Sequence, residues 1–171
     1  MEALKSKIRH VPDFPKAGIL FYDVTTLLRD PEGFRLAIDS LSTPYHGRQI
    51  DLVVGVESRG FILGAAGADR LGAGFVPVRK LGKLPSTTVR ATYDLEYGSD
   101  SLEVHKDAVE PGQRVLVVDD LLATGGTARA TVGLVKQLGG RVEGVAFLIE
   151  LTDLNGRKQL QGENILAVLQ Y

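Results

Sequence analysis

The chain has 171 residues, 44% hydrophobic and 24% charged, with a formal net charge of −1 and no cysteine. This is the profile of one soluble globular domain spanning residues 1–171. It excludes disulfides, thiolate metal sites and cysteine nucleophiles, and it argues against general nucleic-acid binding, which needs an excess of Lys and Arg. The mixed-charge start, MEALKSKIRHVPDFP, lacks the apolar core of a signal peptide, and no stretch approaches the roughly 18 apolar residues of a membrane span. A cytoplasmic protein with no membrane partner is expected.

In chain order, residues 2–10 read as a short amphipathic helix that stops before Pro12, and residues 13–18 as a loop punctuated by Pro and Gly. Asp30-Pro31 reads as an N-cap followed by Pro at the first helical position, after which Phe34, Ala37, Ile38 and Leu41 share one face. DLVVGVE at 51–57 is a Val-rich apolar run, as a strand buried on both faces should be. A helix over 60–71 and a strand, FVPVRK, follow. Residues 80–107 differ: Thr92, Asp94 and Glu96 alternate with Tyr93, Leu95 and Tyr97, and Gly98-Ser99-Asp100 connects to a second run, SLEVHK. That pattern predicts an antiparallel hairpin. A buried strand over 114–119, a helix over 126–138 and strands over 141–151 and 164–171 complete the chain. Strands alternating with helices imply a mostly parallel central sheet flanked by helices, an α/β fold. Ligands of such sheets sit beyond the carboxyl ends of the strands. Three connections leave those ends with suggestive chemistry, at 57–60, 80–83 and 119–127.

The richest of these is VLVVDDLLATGGT at 115–127. Asp119 and Asp120 lie where a buried strand ends. Ala123, Thr124, Gly125, Gly126 and Thr127 then open a helix, where small residues let backbone N–H groups approach an anion and the helix N-terminus adds a favourable field. Neither a P-loop nor a dinucleotide fingerprint is present: no Gly-Lys pair precedes Ser or Thr, and the acids come before the glycines instead of about 20 residues after them. Paired carboxylates beside an anion loop suit a ribose 5-phosphate.

These residues resemble the signature of the type I phosphoribosyltransferases. FPKAGILFYDVT, ESRGF at 57–61, RKLGKLP at 79–85 and YDLEYGSDSLEVHKDA at 93–108 are similar to the adenine-using branch of that family. The resemblance implies the type I phosphoribosyltransferase fold, with a small N-terminal hood (1–30) that recognises the base and a flexible β-hairpin flap (80–107). It implies transfer of the 5-phosphoribosyl group from phosphoribosyl pyrophosphate to adenine, giving AMP and pyrophosphate in purine salvage. Residues 123–127 would then take the 5′-phosphate, and Asp119 and Asp120 the ribose hydroxyls. Ser58, Arg59, Lys80 and Lys83 would meet pyrophosphate, with Arg79 either joining them or pairing structurally. Glu96 would handle the purine N7 proton, so that Glu96 and Arg59 carry the catalysis, and Tyr97 would pack on the closed flap. The main chain of Leu20 and Tyr22 would read the adenine edge, with the Tyr22 ring stacking or lining the pocket mouth and Phe21 in the core. The family also implies a cis peptide between Glu57 and Ser58. It implies Mg²⁺ held mainly by substrate and water, and a homodimer joined through an apolar helix around 31–41 or 60–71. Two alternatives remain open: a member using a 6-oxopurine, and a purine-sensing regulator without catalysis.

Overall fold

The structure, a computed structural model, describes residues 1–95 and 98–171. The elements run α1 (Glu2–Lys5), β1 (Arg9–Pro12), β2 (Leu20–Asp23), α2 (Thr25–Leu28), α3 (Pro31–Ser42), β3 (Leu52–Val56), α4 (Arg59–Leu71), β4 (Gly74–Lys80), β5 (Thr88–Leu95), β6 (Gly98–His105), β7 (Arg114–Leu122), α5 (Gly126–Gln137), β8 (Arg141–Glu150) and β9 (Ile165–Gln170). Short 3-10 turns occupy Thr43–Tyr45, Thr152–Leu154 and Gly156–Leu160.

Strands β3 to β9 form one sheet in the order β5-β6-β4-β3-β7-β8-β9, and β1 and β2 pair separately. Neighbours from β4 to β9 are parallel, and the β5–β6 hairpin joins antiparallel along the edge of β4. Successive side chains on a strand point to opposite faces, which divides the core in two. Val53, Leu116, Val118, Ala146 and Leu148 pack under α3 and α4. Val54, Val56, Val115, Val117, Val145 and Phe147 pack under α5. This two-sided burial is why the strands read as continuous apolar runs. Helices α3 and α4 turn apolar faces inward and leave Leu36 and Ile62 exposed.

Three expectations are corrected. The N-terminal helix ends at Lys5, because residues 9–12 instead pair antiparallel with β2, from Arg9↔Asp23 to Pro12↔Leu20. Arg9 closes that two-stranded sheet by donating to the Asp23 carboxylate (2.9 Å). Gly98, Ser99 and Asp100 are not a connection but the first rungs of β6, opposite Leu95, Asp94 and Tyr93. Glu96 and Tyr97 lie outside the described residues. Finally, β7 runs on to Leu122, because β8 keeps pairing with it through Leu122↔Glu150 after β3 has stopped at Gly55↔Val118.

Candidate active site

Past the point where β3 stops, Asp119 and Asp120 of β7 line a space that β3 has vacated. There the carboxyl ends of β3, β4 and β7 open into a cavity of about 320 Å³. The turn holding Glu57, Ser58 and Arg59 forms one wall, and Lys80 another. Residues 119–128 form the third, so the three connections singled out in the sequence converge.

Residues 123–127 lead into α5 through Gly125, which has φ +88° and no side chain to cap the helix. The first helical bond runs from the Arg129 N–H to the Gly125 carbonyl. Among the described residues, no protein acceptor takes the N–H groups of residues 124–128. Helix α3 shows the contrast, since the Asp30 side chain caps it by accepting from the Gly33 N–H (2.6 Å). An uncapped start that lines a cavity offers unpartnered N–H donors and the positive end of a helix dipole to an anion.

Beside this loop, Asp120 is buried and ion-paired with Arg59, the first residue of α4. Asp119 is half-buried and accepts from the Asp120 N–H (2.9 Å). Burial, and then the neighbouring Asp120 charge, pushes the Asp119 carboxyl well above the usual carboxylate range. Gly60 allows this crowding: a Cβ there would stand 2.7 Å from Asp119 Oδ1. The Glu57–Ser58 peptide is cis, as expected.

Glu57 holds the far wall. Its carboxylate accepts from the Lys80 N–H (2.9 Å), Lys83 Nζ (2.9 Å) and Arg79 Nε (3.3 Å). Burial alone would raise its pKa, but these three partners outweigh it and lower the value to about 2. Arg79 therefore pairs structurally. Lys80 lines the cavity while its Nζ donates to Asp100 and to the Tyr93 hydroxyl (3.1 Å) of the hairpin. Each cation assigned to pyrophosphate thus carries a carboxylate partner: Asp120 for Arg59, Asp100 for Lys80 and Glu57 for Lys83.

Strand β2 borders the site. Leu20 is exposed, and the Tyr22 ring turns away, 5.0 Å from the His10 ring and 4.2 Å from the Tyr171 ring. The expectation that Tyr22 stacks or lines the pocket mouth is therefore corrected. Strand alternation sends Phe21 the other way, so it is not core. Its ring lies 5.1 Å from Phe14 and 5.8 Å from the Arg59 guanidinium.

The phosphoribosyl transferase domain model matches residues 25–162. The chain belongs to the phosphoribosyltransferase family. It is 62% identical to the adenine phosphoribosyltransferase of Acidobacterium capsulatum over 99% of this chain and 94% of that one. Among solved structures, it is similar to adenine phosphoribosyltransferase from Thermoanaerobacter pseudethanolicus, with TM-score 0.96 and 54% identity over 99% of each chain. It is also similar to the Saccharomyces cerevisiae enzyme complexed with an iminoaltritol bisphosphate and adenine, with TM-score 0.93 and 42% identity over 98% and 97% of the two chains. The sheet and its flanking helices are the type I phosphoribosyltransferase fold. In this phosphoribosyltransferase Phe21, expected in the core, lies beside Arg59, and neither Asp100 nor the turn Gly156–Leu160 behind residues 123–127 was legible in the sequence as part of the site's surroundings. The Asn155-Gly156 pair was the one local signal for that turn.

Proposed function

We propose that this phosphoribosyltransferase moves the 5-phosphoribosyl group of phosphoribosyl pyrophosphate to adenine, forming AMP and releasing pyrophosphate. The observation that carries the reading is the composition of a single cavity. An uncapped helix start and an acid pair lie on one wall, and Arg59 and Lys80 on the others. That arrangement suits a ribose phosphorylated at both ends. The choice of adenine rests on the chain-long similarity to enzymes named for that base.

In the reaction the anomeric C–O bond to pyrophosphate breaks as the bond to purine nitrogen forms, through an oxocarbenium-like centre. Residues 123–127 anchor the 5′-phosphate, while Asp119 and Asp120 take the ribose hydroxyls. Ser58, Arg59, Lys80 and Lys83 receive the charge that develops on the leaving group. Main-chain groups of Leu20 and Tyr22 read the adenine edge, with Phe21 beside them. Glu96, outside the described residues, takes up the proton at the purine, and closure of the hairpin excludes water. The cavity offers Asp119 and a pre-engaged Asp120, too few oxygens for the octahedron magnesium demands. The site fits an ion held mainly by pyrophosphate and water, with Asp119 and Asp120 reaching it through that water, and the ion would supply positive charge against the departing polyanion. The enzyme acts in the cytoplasm as a homodimer, for which the exposed Leu36 and Ile62 on α3 and α4 offer apolar contact.

Mixing the protein with adenine, phosphoribosyl pyrophosphate and Mg²⁺ should yield AMP. Preference for hypoxanthine, guanine or xanthine in competition would move the assignment to the 6-oxopurine enzymes. Binding without turnover would make the protein a sensor. Light scattering tests the dimer.

A further inference from the structure

The loop at 123–127 has a back as well as a front. Behind it lies the turn Gly156–Leu160, and the two backbones touch with no room between them. A Cβ on Gly125 would run into the Gly156 carbonyl oxygen, and a Cβ on Gly156 into the Ala123 carbonyl oxygen. Leu160 is buried in the same cluster as Leu122 and Ala128, which flank the loop. Gln159 accepts from Arg129 Nη1 of α5 (3.0 Å). This turn is the floor on which the loop rests.

One buried acid fixes the floor. Glu150 ends β8 and is 4% exposed. It stands opposite Leu122, the last strand residue before the loop. Both of its carboxylate oxygens are held by Arg157 from the floor turn, Nε at 2.6 Å and Nη2 at 2.8 Å. Gln170 Nε2 of β9 adds a third bond at 2.9 Å. The forked geometry sets direction as well as distance, which a lysine cannot reproduce. The Glu150 carboxylate thus ties three things together: the strand beside the loop, the floor beneath it and the last strand of the sheet.

From this geometry we infer that Glu150 and Arg157 are positioning residues for the 5′-phosphate. Neither side chain lines the cavity. They hold the floor turn at the height that keeps the N–H groups of residues 124–128 converging on one point. Displacing the floor by a fraction of an ångström disperses those donors while leaving Arg59, Lys80 and the hood in place. The inference rests on the reading of residues 123–127 as the phosphate loop. It assigns a function to the segment between β8 and β9, which lies outside the cavity.

The test uses Arg157→Gln and Arg157→Lys, with Arg114→Gln as control. Arg114 makes a comparable fork with Glu143 at the opposite end of β7 and β8. Two quantities are measured: steady-state constants for both substrates, and calorimetric affinity for ribose 5-phosphate. Arg157→Gln should raise KM for phosphoribosyl pyrophosphate and weaken ribose 5-phosphate on the order of tenfold to a hundredfold. KM for adenine should stay within about twofold of wild type. Arg157→Lys should recover only part of the loss, and Arg114→Gln should leave both affinities unchanged. A merely structural role would instead lower kcat with the folded fraction and leave the KM values alone, and that outcome overturns the inference. So does equal weakening in Arg114→Gln. Should Arg157→Gln fail to fold, Glu150→Gln carries the same expectation and the same refutation. Wild-type protein that does not bind ribose 5-phosphate would refute the phosphate-loop reading itself, and with it this inference.

Discussion

The Asp119 carboxyl is desolvated and stands beside Asp120, so its ionised form destabilises the free fold. Because its pKa is raised, the stability it contributes is present at low pH and is lost as pH rises through the raised value. Asp119→Asn should therefore raise the melting temperature at pH 7 while weakening phosphoribosyl pyrophosphate. A gain of about 1 kcal/mol corresponds to roughly 2–4 °C for a chain of this size. A lower melting temperature in the variant would contradict the account. Glu57 has the opposite sign. Its pKa is lowered from 4.5 to about 2, so its contribution is complete above pH 4.5 and fades as pH falls toward 2. Urea midpoints of wild type and Glu57→Gln should differ most near neutrality and converge near pH 2, whereas a constant gap would exclude this origin. At this scale the sequence disclosed groups whose role is local. Asp119, Asp120 and residues 123–127 sit in one continuous segment, so their spacing can be read without knowing the fold. The carboxylates that occupy Arg59, Lys80 and Lys83 in the free protein were not legible, because each pair joins distant segments, as Arg59 and Asp120 do.

Elements show how the same substitution changes meaning with its surroundings. Gly125 precedes α5 at φ +88° with the Gly156 carbonyl against it, while Gly133 lies inside α5 with nothing within 4 Å of its missing Cβ. Gly125→Ala should abolish ribose 5-phosphate binding. Gly133→Ala should stabilise the protein by about 1 kcal/mol, the helix-propensity difference, with unchanged kinetics. Denaturant melts and calorimetry separate the two, and a loss of binding in Gly133→Ala would break the argument. The hairpin makes a third case. Among the described residues only Arg79↔Glu103 and Lys80↔Leu102 pair β6 with β4, so the outer rungs of β5 and β6 are held to the body by side chains, Val89, Ala91 and Tyr93 against the α5 cluster and Lys80 to Asp100. Their amides should exchange faster than those of β7, and phosphoribosyl pyrophosphate should slow them. Long elements were readable because periodicity repeats over many residues, as in β7 and α5. The N-terminal strand was not. Arg9–Pro12 is too short to show a period, and its conformation is decided by a partner strand that begins at Leu20.

At the scale of the whole molecule, the alternation of strands and helices gave the sheet, and the resemblance gave the family. Neither gave the packing between β8 and β9, where a segment without periodicity closes under the loop. A chain with net charge −1 sets Arg59 and Lys80 on one cavity and Lys83 on Glu57 in its wall, and each cation is matched by an acid. Substrate binding is then an exchange of partners, and rising salt should weaken phosphoribosyl pyrophosphate more than adenine. Equal salt dependence for the two substrates would argue that the cations stay with their carboxylates.

The contact between Gly125 and Gly156 also closes one side of the loop to any ligand. Backbone stands against backbone there, so no ligand atom can enter from behind residues 123–127. A sugar phosphate held by the loop must present the rest of its body to the cavity, and a diester, with a second group on that phosphate, has no rear pocket to occupy.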